Sequence, residues 1–202
     1  MTTILVPCKD LSRGKSRLSP GLDAAARRSL CGMFLHRTLA LAVAMVGAPG
    51  VRLLTSDPDA REVARGFGIP TIADEGGGLN AALQGARTAM IADASVVILP
   101  IDLPCAREPS LRSVMDAAGD VVIVPDRDRH GTNVLRLSRA ALGDFTFCYG
   151  ANSFTAHRAA AERLGFRPAV IWDDDLAFDV DEPDDYRLWQ ARAARLKGAA
   201  SA

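Results

Sequence analysis

The sequence carries no net charge: lysine plus arginine and aspartate plus glutamate both total 24 in 202 residues. A protein that holds nucleic acid chiefly through its phosphates shows a basic excess, so no nucleic-acid partner is expected. Cysteine is sparse. Cys8, Cys31, Cys105 and Cys148 form neither a CxxC pair nor a Cys/His cluster of zinc spacing, and they read as reduced thiols of a cytoplasmic protein. No charged leader with a long apolar core opens the chain, and the longest apolar stretch, residues 38–46, is too short to span a bilayer. Neither secretion nor a membrane partner is expected. G-x-S-x-G is missing and His36, His130 and His157 are scattered, so no Ser-His-Asp hydrolase is signalled. Internal repeats are missing as well.

What is present is a core. Hydrophobic residues make up 49% of the chain, enough for one domain, expected over residues 1–196 with a frayed tail at 197–202. Residues 3–6, 51–55, 69–73, 95–99, 121–124, 132–137 and 169–172 read as strands. Residues 23–46, 59–65, 79–91, 110–118, 154–164 and 184–196 read as helices. The run from Ser95 to Leu99 has no polar alternation, which predicts cover on both faces. The order predicts an α/β fold: a mixed, mainly parallel sheet flanked by helices, with residues 121–172 breaking strict alternation. Ligands of such sheets gather beyond the carboxyl ends of the strands. That points to the loops after Val6, Ile72, Leu99 and Val124.

The first of these loops holds Gly14-Lys15-Ser16 but is no P-loop. Lys9 stands where G-x-x-x-x-G-K-[ST] needs its first glycine, and Pro20 interrupts a helix starting at Lys15. Lys9, Arg13, Lys15 and Arg17 alternate after a buried strand, and an extended loop would turn them toward a polyphosphate. The bland alternative is a solvated basic loop.

Two acidic sites stand out. Asp102 follows the most buried strand between Pro100 and Pro104, which restrict the backbone; the next helix starts too far away for Asp102 to cap it. In Phe178-Asp179-Val180-Asp181-Glu182-Pro183, Asp179 and Asp181 point to the same side of an extended segment, with no basic neighbour in sequence. A divalent cation would relieve their repulsion, and all-oxygen ligands suit magnesium. Alternatively, Asp181 caps the helix opened by Pro183. Asp173-Asp174-Asp175 reads as a solvated turn. Metal and basic side chains around a triphosphate would serve attack on an α-phosphate without a protein nucleophile.

At this point several stretches fall into one order: Leu5 to Lys9 with Gly14 to Leu18, Gly77 to Asn80, Leu99 to Pro104, Gly131 to Asn133, Tyr149 to Phe154, and Phe178 to Asp181. Together they resemble the CofC family of guanylyltransferases, within the wider MobA-like nucleotidyltransferase group. The resemblance implies a nucleotidyltransferase (GT-A-like, Rossmann-like) fold. It also implies transfer of GMP from GTP to a phosphorylated three-carbon acid, with release of diphosphate, in coenzyme F-420 biosynthesis. The acid would be 2-phospho-L-lactate, phosphoenolpyruvate or 3-phospho-D-glycerate. It implies Mg²⁺ on Asp102, Asp179 and Asp181, with Lys15 and Asp102 catalytic. Pro7, Lys9, Lys15, Arg17, Gly78, Leu79 and Asn80 would hold the nucleotide, and Thr132, Gly150 and Ser153 the acceptor. A homodimer, and a downstream transferase that receives the product, are further family expectations. Free N–H groups at a helix beginning at Phe154 would favour the acceptor's anion, with Ser153 as its N-cap. Gly14 stands where many members carry other small residues. A MobA-like or sugar-phosphate enzyme is the first alternative, opposed by Val6-Pro7-Cys8-Lys9 where that group has L-x-G-G. A non-catalytic nucleotide-binding module is the second, opposed by the three aspartates.

Overall fold

The computed structural model describes residues 1–12, 14–90 and 92–199, with side chains up to residue 195. In chain order the elements are β1 (Thr2–Pro7), α1 (Ala24–Val46), β2 (Val51–Leu54), α2 (Pro58–Gly66), β3 (Thr71–Ile72), α3 (Leu79–Ala86), β4 (Ser95–Ile98), α4 (Glu108–Asp116), β5 (Val121–Pro125), β6 (Thr132–Ser138), α5 (Arg139–Leu142), α6 (Ser153–Arg163), β7 (Ala169–Val170) and α7 (Pro183–Ala199). The strands form one sheet in the order β3-β2-β1-β4-β6-β5-β7. All neighbours are parallel except the two pairs that β6 makes, with β4 and with β5.

Side-chain alternation along the strands builds two cores. Ile4, Val6 and Val97 face one side, where α1 buries Leu35 and Leu39 and α4 buries Leu111. Leu5, Val96 and Ile98 face the other, covered by Leu83 of α3, Leu142 of α5 and Ala161 of α6. The sheet is therefore sandwiched between helical layers, which explains the unbroken apolar runs Ile4–Val6 in β1, Val96–Ile98 in β4 and Val121–Val124 in β5. Helix α1 spans 23 residues and is long and apolar enough to cross a membrane by length and composition alone. The 38–46 stretch understates it. Its residues Leu30, Phe34, Leu35, Thr38, Leu39 and Ala42 are buried against the rest of the chain, as in the core helix of a globular domain.

Topology fixes where a ligand can sit. After β1 the chain moves outward through β2 and β3, then returns to lay β4 on the other side of β1. The chain leaves β1 toward β2 and β4 toward β5, in opposite directions along the sheet, which is where a crevice forms beyond the carboxyl ends. Because β6 runs antiparallel to β4, pairing Ile98 with Leu135, its first residue Thr132 reaches the same sheet edge. The segment leaving β7 reaches that edge too, since β7 is parallel to β5.

The minor elements differ from the sequence reading. β3 and β7 are two residues long, where longer runs were expected at 69–73 and 169–172. Helix α3 ends at Ala86 and continues as a 3-10 turn at Arg87–Ala89. Helix α7 continues to Ala199, three residues past the expected boundary at 196. Residues 200–202 of the expected tail lie outside the described residues.

Candidate active site

Pro7, Lys9, Lys15, Arg17 and Asp102 line one cleft of about 360 Å³ at the β1–β4 switch point, together with Leu79 and Asp181. Its basic wall is not the extended loop expected. Lys15 is left-handed (φ 53°), and Ser16–Leu18 form a 3-10 turn closed by Leu18 N–H donating to Lys15 O. Such a backbone costs a non-glycine residue about 1–2 kcal/mol. Leu18 anchors the turn by burying itself with Phe34, Phe178 and Val180. Lys15 consequently turns inward, with its side chain 8% exposed, while Lys9 and Arg17 stay exposed at the rim. Arg13 lies outside the described residues.

The acidic segment is held from the opposite side. Phe178 and Val180 alternate into the core and Val180 N–H donates to Asp102 O, 3.1 Å. This pairing sets the residues flanking Val180, Asp179 and Asp181, beside Asp102. Lys15 Nζ lies 2.8 Å from Asp102 Oδ2 and 2.6 Å from Asp181 Oδ1. The basic neighbour missing from the local sequence is therefore supplied from 87 and 166 residues away. Burial alone would lower the Lys15 ammonium, but Asp102 and then Asp181 outweigh it and hold it above the ordinary lysine range. Asp179 moves the other way for a carboxyl group: burial, then Asp102 and Asp181, raise it to about 6.

Asp181 is not the cap of α7. The Asp185 carboxylate reaches back to the N–H groups of Asp181 and Glu182, and Tyr186 N–H donates to Glu182 O. Asp181 is left free to face Lys15. The Asp173–Asp175 run is partly a local turn, since Asp173 accepts from Asp175 and Leu176 N–H, but Asp175 also pairs with Arg107.

Two carboxylates on one ammonium, with Asp179 close enough to feel their charge but outside the cleft lining, leave excess negative charge, and that oxygen donor set fits a hard divalent cation. Among the described residues no three such side chains already converge as ligands. The cation between Asp102 and Asp181 here is Lys15.

The glycine loop before α3 has φ of 92°, 80° and 91° at Gly76, Gly77 and Gly78, a left-handed run that side chains would resist. It delivers Leu79 to the cleft. Asn80, the next residue, has a structural task. Its Nδ2 donates to Tyr149 O (2.9 Å) and its Oδ1 accepts from Tyr149 N–H (2.7 Å), tying α3 to the loop before α6.

The acceptor residues cluster but do not line the cleft. Thr132 N–H donates to Ser153 Oγ, 2.9 Å, and both are buried. Gly150 is exposed at φ 130°. The expected capping is corrected: Asn152, left-handed, is the N-cap of α6, and Ser153 is its first residue. Two N–H groups at this helix start are already used, Ser153 by Gly150 O and Phe154 by His130 O. One residue escaped the sequence reading. His157, buried in α6, bonds both Thr132 Oγ1 and Cys148 N–H. Its spacing from Phe154 and Ala160 on the buried face of α6 was the available signal.

Comparisons with known proteins bear on the fold and the family. A nucleotidyl transferase from Methanothermobacter superposes with a TM-score of 0.69 at 14% identity, covering 97% of this chain and 99% of that one. A CMP:2-keto-3-deoxy-manno-octonic acid synthetase complexed with CTP gives 0.63 at 16% identity, covering 96% and 98%. Both show the nucleotidyltransferase fold. Phosphoenolpyruvate guanylyltransferase of Rubrobacter xylanophilus is 38% identical over 93% of this chain and 92% of its own length. That of Thermobaculum terrenum is 35% identical over 90% and 80%. With residues 2–188 matching the family described as "Guanylyl transferase CofC like", this chain belongs to the CofC-like guanylyltransferases.

Proposed function

We infer that this guanylyltransferase joins the GMP of GTP to phosphoenolpyruvate in the cytoplasm, releasing diphosphate, with Mg²⁺ as cofactor and coenzyme F-420 as the pathway's product. The observation that carries the mechanism is Lys15 lying between Asp102 and Asp181 at the switch point. The choice of acid is supported by the names of similar proteins from Rubrobacter, Thermobaculum and Roseiflexus.

In the reaction an oxygen of the acid's phosphate attacks the α-phosphorus of GTP, and the bond to the β-phosphate breaks. Asp102, Asp179 and Asp181 would hold the magnesium, which when bound neutralises charge on the triphosphate. Lys9 and Arg17 at the rim meet the outer phosphates. Lys15 supplies positive charge where the leaving diphosphate develops its own. The left-handed glycine loop lets backbone approach the nucleotide at Leu79. Thr132, Gly150 and Ser153 hold the acid at the neighbouring sheet edge, so that attacking and leaving oxygens can lie in line.

The test is a mass-spectrometric assay of the purified protein with GTP and Mg²⁺, offering phosphoenolpyruvate, 2-phospho-L-lactate and 3-phospho-D-glycerate separately. The expected result is a guanosine diphosphate-linked enolpyruvate and diphosphate, formed fastest with phosphoenolpyruvate. Faster turnover of either other acid overturns the acceptor assignment; no product with any of the three overturns the whole reading.

A further inference from the structure

His157 is buried and uncharged in its surroundings: the rings of Phe145 and Tyr149 flank it, at 5.8 and 4.7 Å between centroids. Its two nitrogens have different partners, and one of them fixes the tautomer. Cys148 N–H can only donate, and it lies 2.9 Å from Nε2. Nε2 must therefore carry the lone pair, which puts the proton on Nδ1. Nδ1 is 2.9 Å from Thr132 Oγ1 and must be the donor there. The Thr132 hydroxyl accepts from His157, so its own hydrogen has to point elsewhere.

In the reading proposed above, the acceptor acid would sit at this sheet edge. The N–H groups of Ser153 and Phe154 are already bonded within the fold, and Thr132 N–H is bonded to Ser153 Oγ. The Thr132 hydroxyl hydrogen, not engaged by His157, is a donor that this corner can offer an anion. We propose that His157 is a positioning residue: it holds the Thr132 hydroxyl as a one-way donor toward the anionic group of the acceptor acid. The inference rests on the assignment of Thr132 to the acid. The same imidazole also holds the Cys148–Tyr149 loop, whose other anchor is Asn80. A hydrogen-bonded chain thus runs from the helix beside the nucleotide cleft to the acceptor corner.

Two substitutions separate the two bonds. His157→Gln places a carbonyl where Nε2 accepts from Cys148 but removes the donor to Thr132. His157→Asn places an amide N–H where Nδ1 is but loses the bond to Cys148. Steady-state kinetics on each full-length variant, varying phosphoenolpyruvate and GTP in turn, are read beside thermal melts and beside Thr132→Val. The expected result for His157→Gln is a KM for the acid raised about tenfold, as for weakening one bond to a charged group, with KM for GTP unmoved. His157→Asn should recover most of that loss. If Thr132→Val raises the acid's KM but both His157 variants lower only the melting temperature, His157 is structural and the inference fails alone. If Thr132→Val leaves the acid's KM unchanged, the acceptor assignment fails and this inference with it.

Discussion

Lys15 is the residue on which the site turns. It adopts a left-handed backbone that most lysines avoid and buries an ammonium between two aspartates. Those same oxygens are the ones a divalent ion would need. An ion held there would compete with the ammonium for Asp102 and Asp181, and Lys15 would then be released to meet the triphosphate. This leads to an expectation for Lys15→Met that ordinary loss of a catalytic residue would not give. Magnesium binding, measured by calorimetry without nucleotide, should tighten severalfold, because the competing cation is gone. Turnover should nevertheless fall, and the variant's melting temperature should be low without magnesium and recover with it. Unchanged magnesium affinity would show that the ion binds clear of Asp102 and Asp181.

At the scale of elements, the first loop is fixed against α1 by a contact that the sequence hides. A Cβ built on Gly14 would stand 2.6 Å from Cys31 Sγ, well inside contact distance. A side chain at position 14 is thus crowded by a buried thiol of α1. Gly14→Ala should destabilise the protein by about 1–3 kcal/mol, the usual cost of overpacking, and should impair GTP binding by displacing Lys15. Combining it with Cys31→Ala should restore most of both; additive losses in the double mutant would rule out the clash as the cause. The loop also marks the limit of what could be read from sequence. β1, β4 and β5 were legible because a strand buried on both faces is continuously apolar. β3 and β7 were overextended because Ile69, Ala73 and Trp172 are apolar but lie outside the strands, and Ile171 adds only one bond, to Ile123 O. Helix α5 was missed because four residues, Arg139–Leu142, are too few for periodicity to register. Asp102 and Asp181, which the fold brings together on Lys15, stood out in the sequence through the proline brackets and the two-residue spacing with Asp179. The turn at Lys15, its pairing with those aspartates and the role of Asn80 were not, since each depends on partners tens of residues distant.

For the whole molecule, His157 ties stability to pH in a direction that can be worked out. Burial lowers its pKa from 6.5 to about 4. Between those values the unfolded chain binds a proton that the folded chain refuses, so stability is present near neutrality and is lost as pH falls through that window. At pH 5 the loss is about 2 kcal/mol, or roughly 4–8 °C in melting temperature for a chain of this size. The wild-type profile alone will not display it. Asp179, raised to about 6 from 3.8, binds its proton more readily in the folded state and works in the opposite sense over nearly the same range. The two contributions largely cancel, so the measurement has to be a difference. His157→Gln removes the imidazole and keeps the acceptor for Cys148 N–H, and Asp179 is common to both proteins. From pH 7 to pH 5 the wild-type melting temperature should fall by about 4–8 °C relative to that of the variant. Parallel profiles for the two proteins would mean that His157 titrates as an ordinary histidine, and that the pocket formed by Phe145, Tyr149 and Thr132 does not exclude its charge.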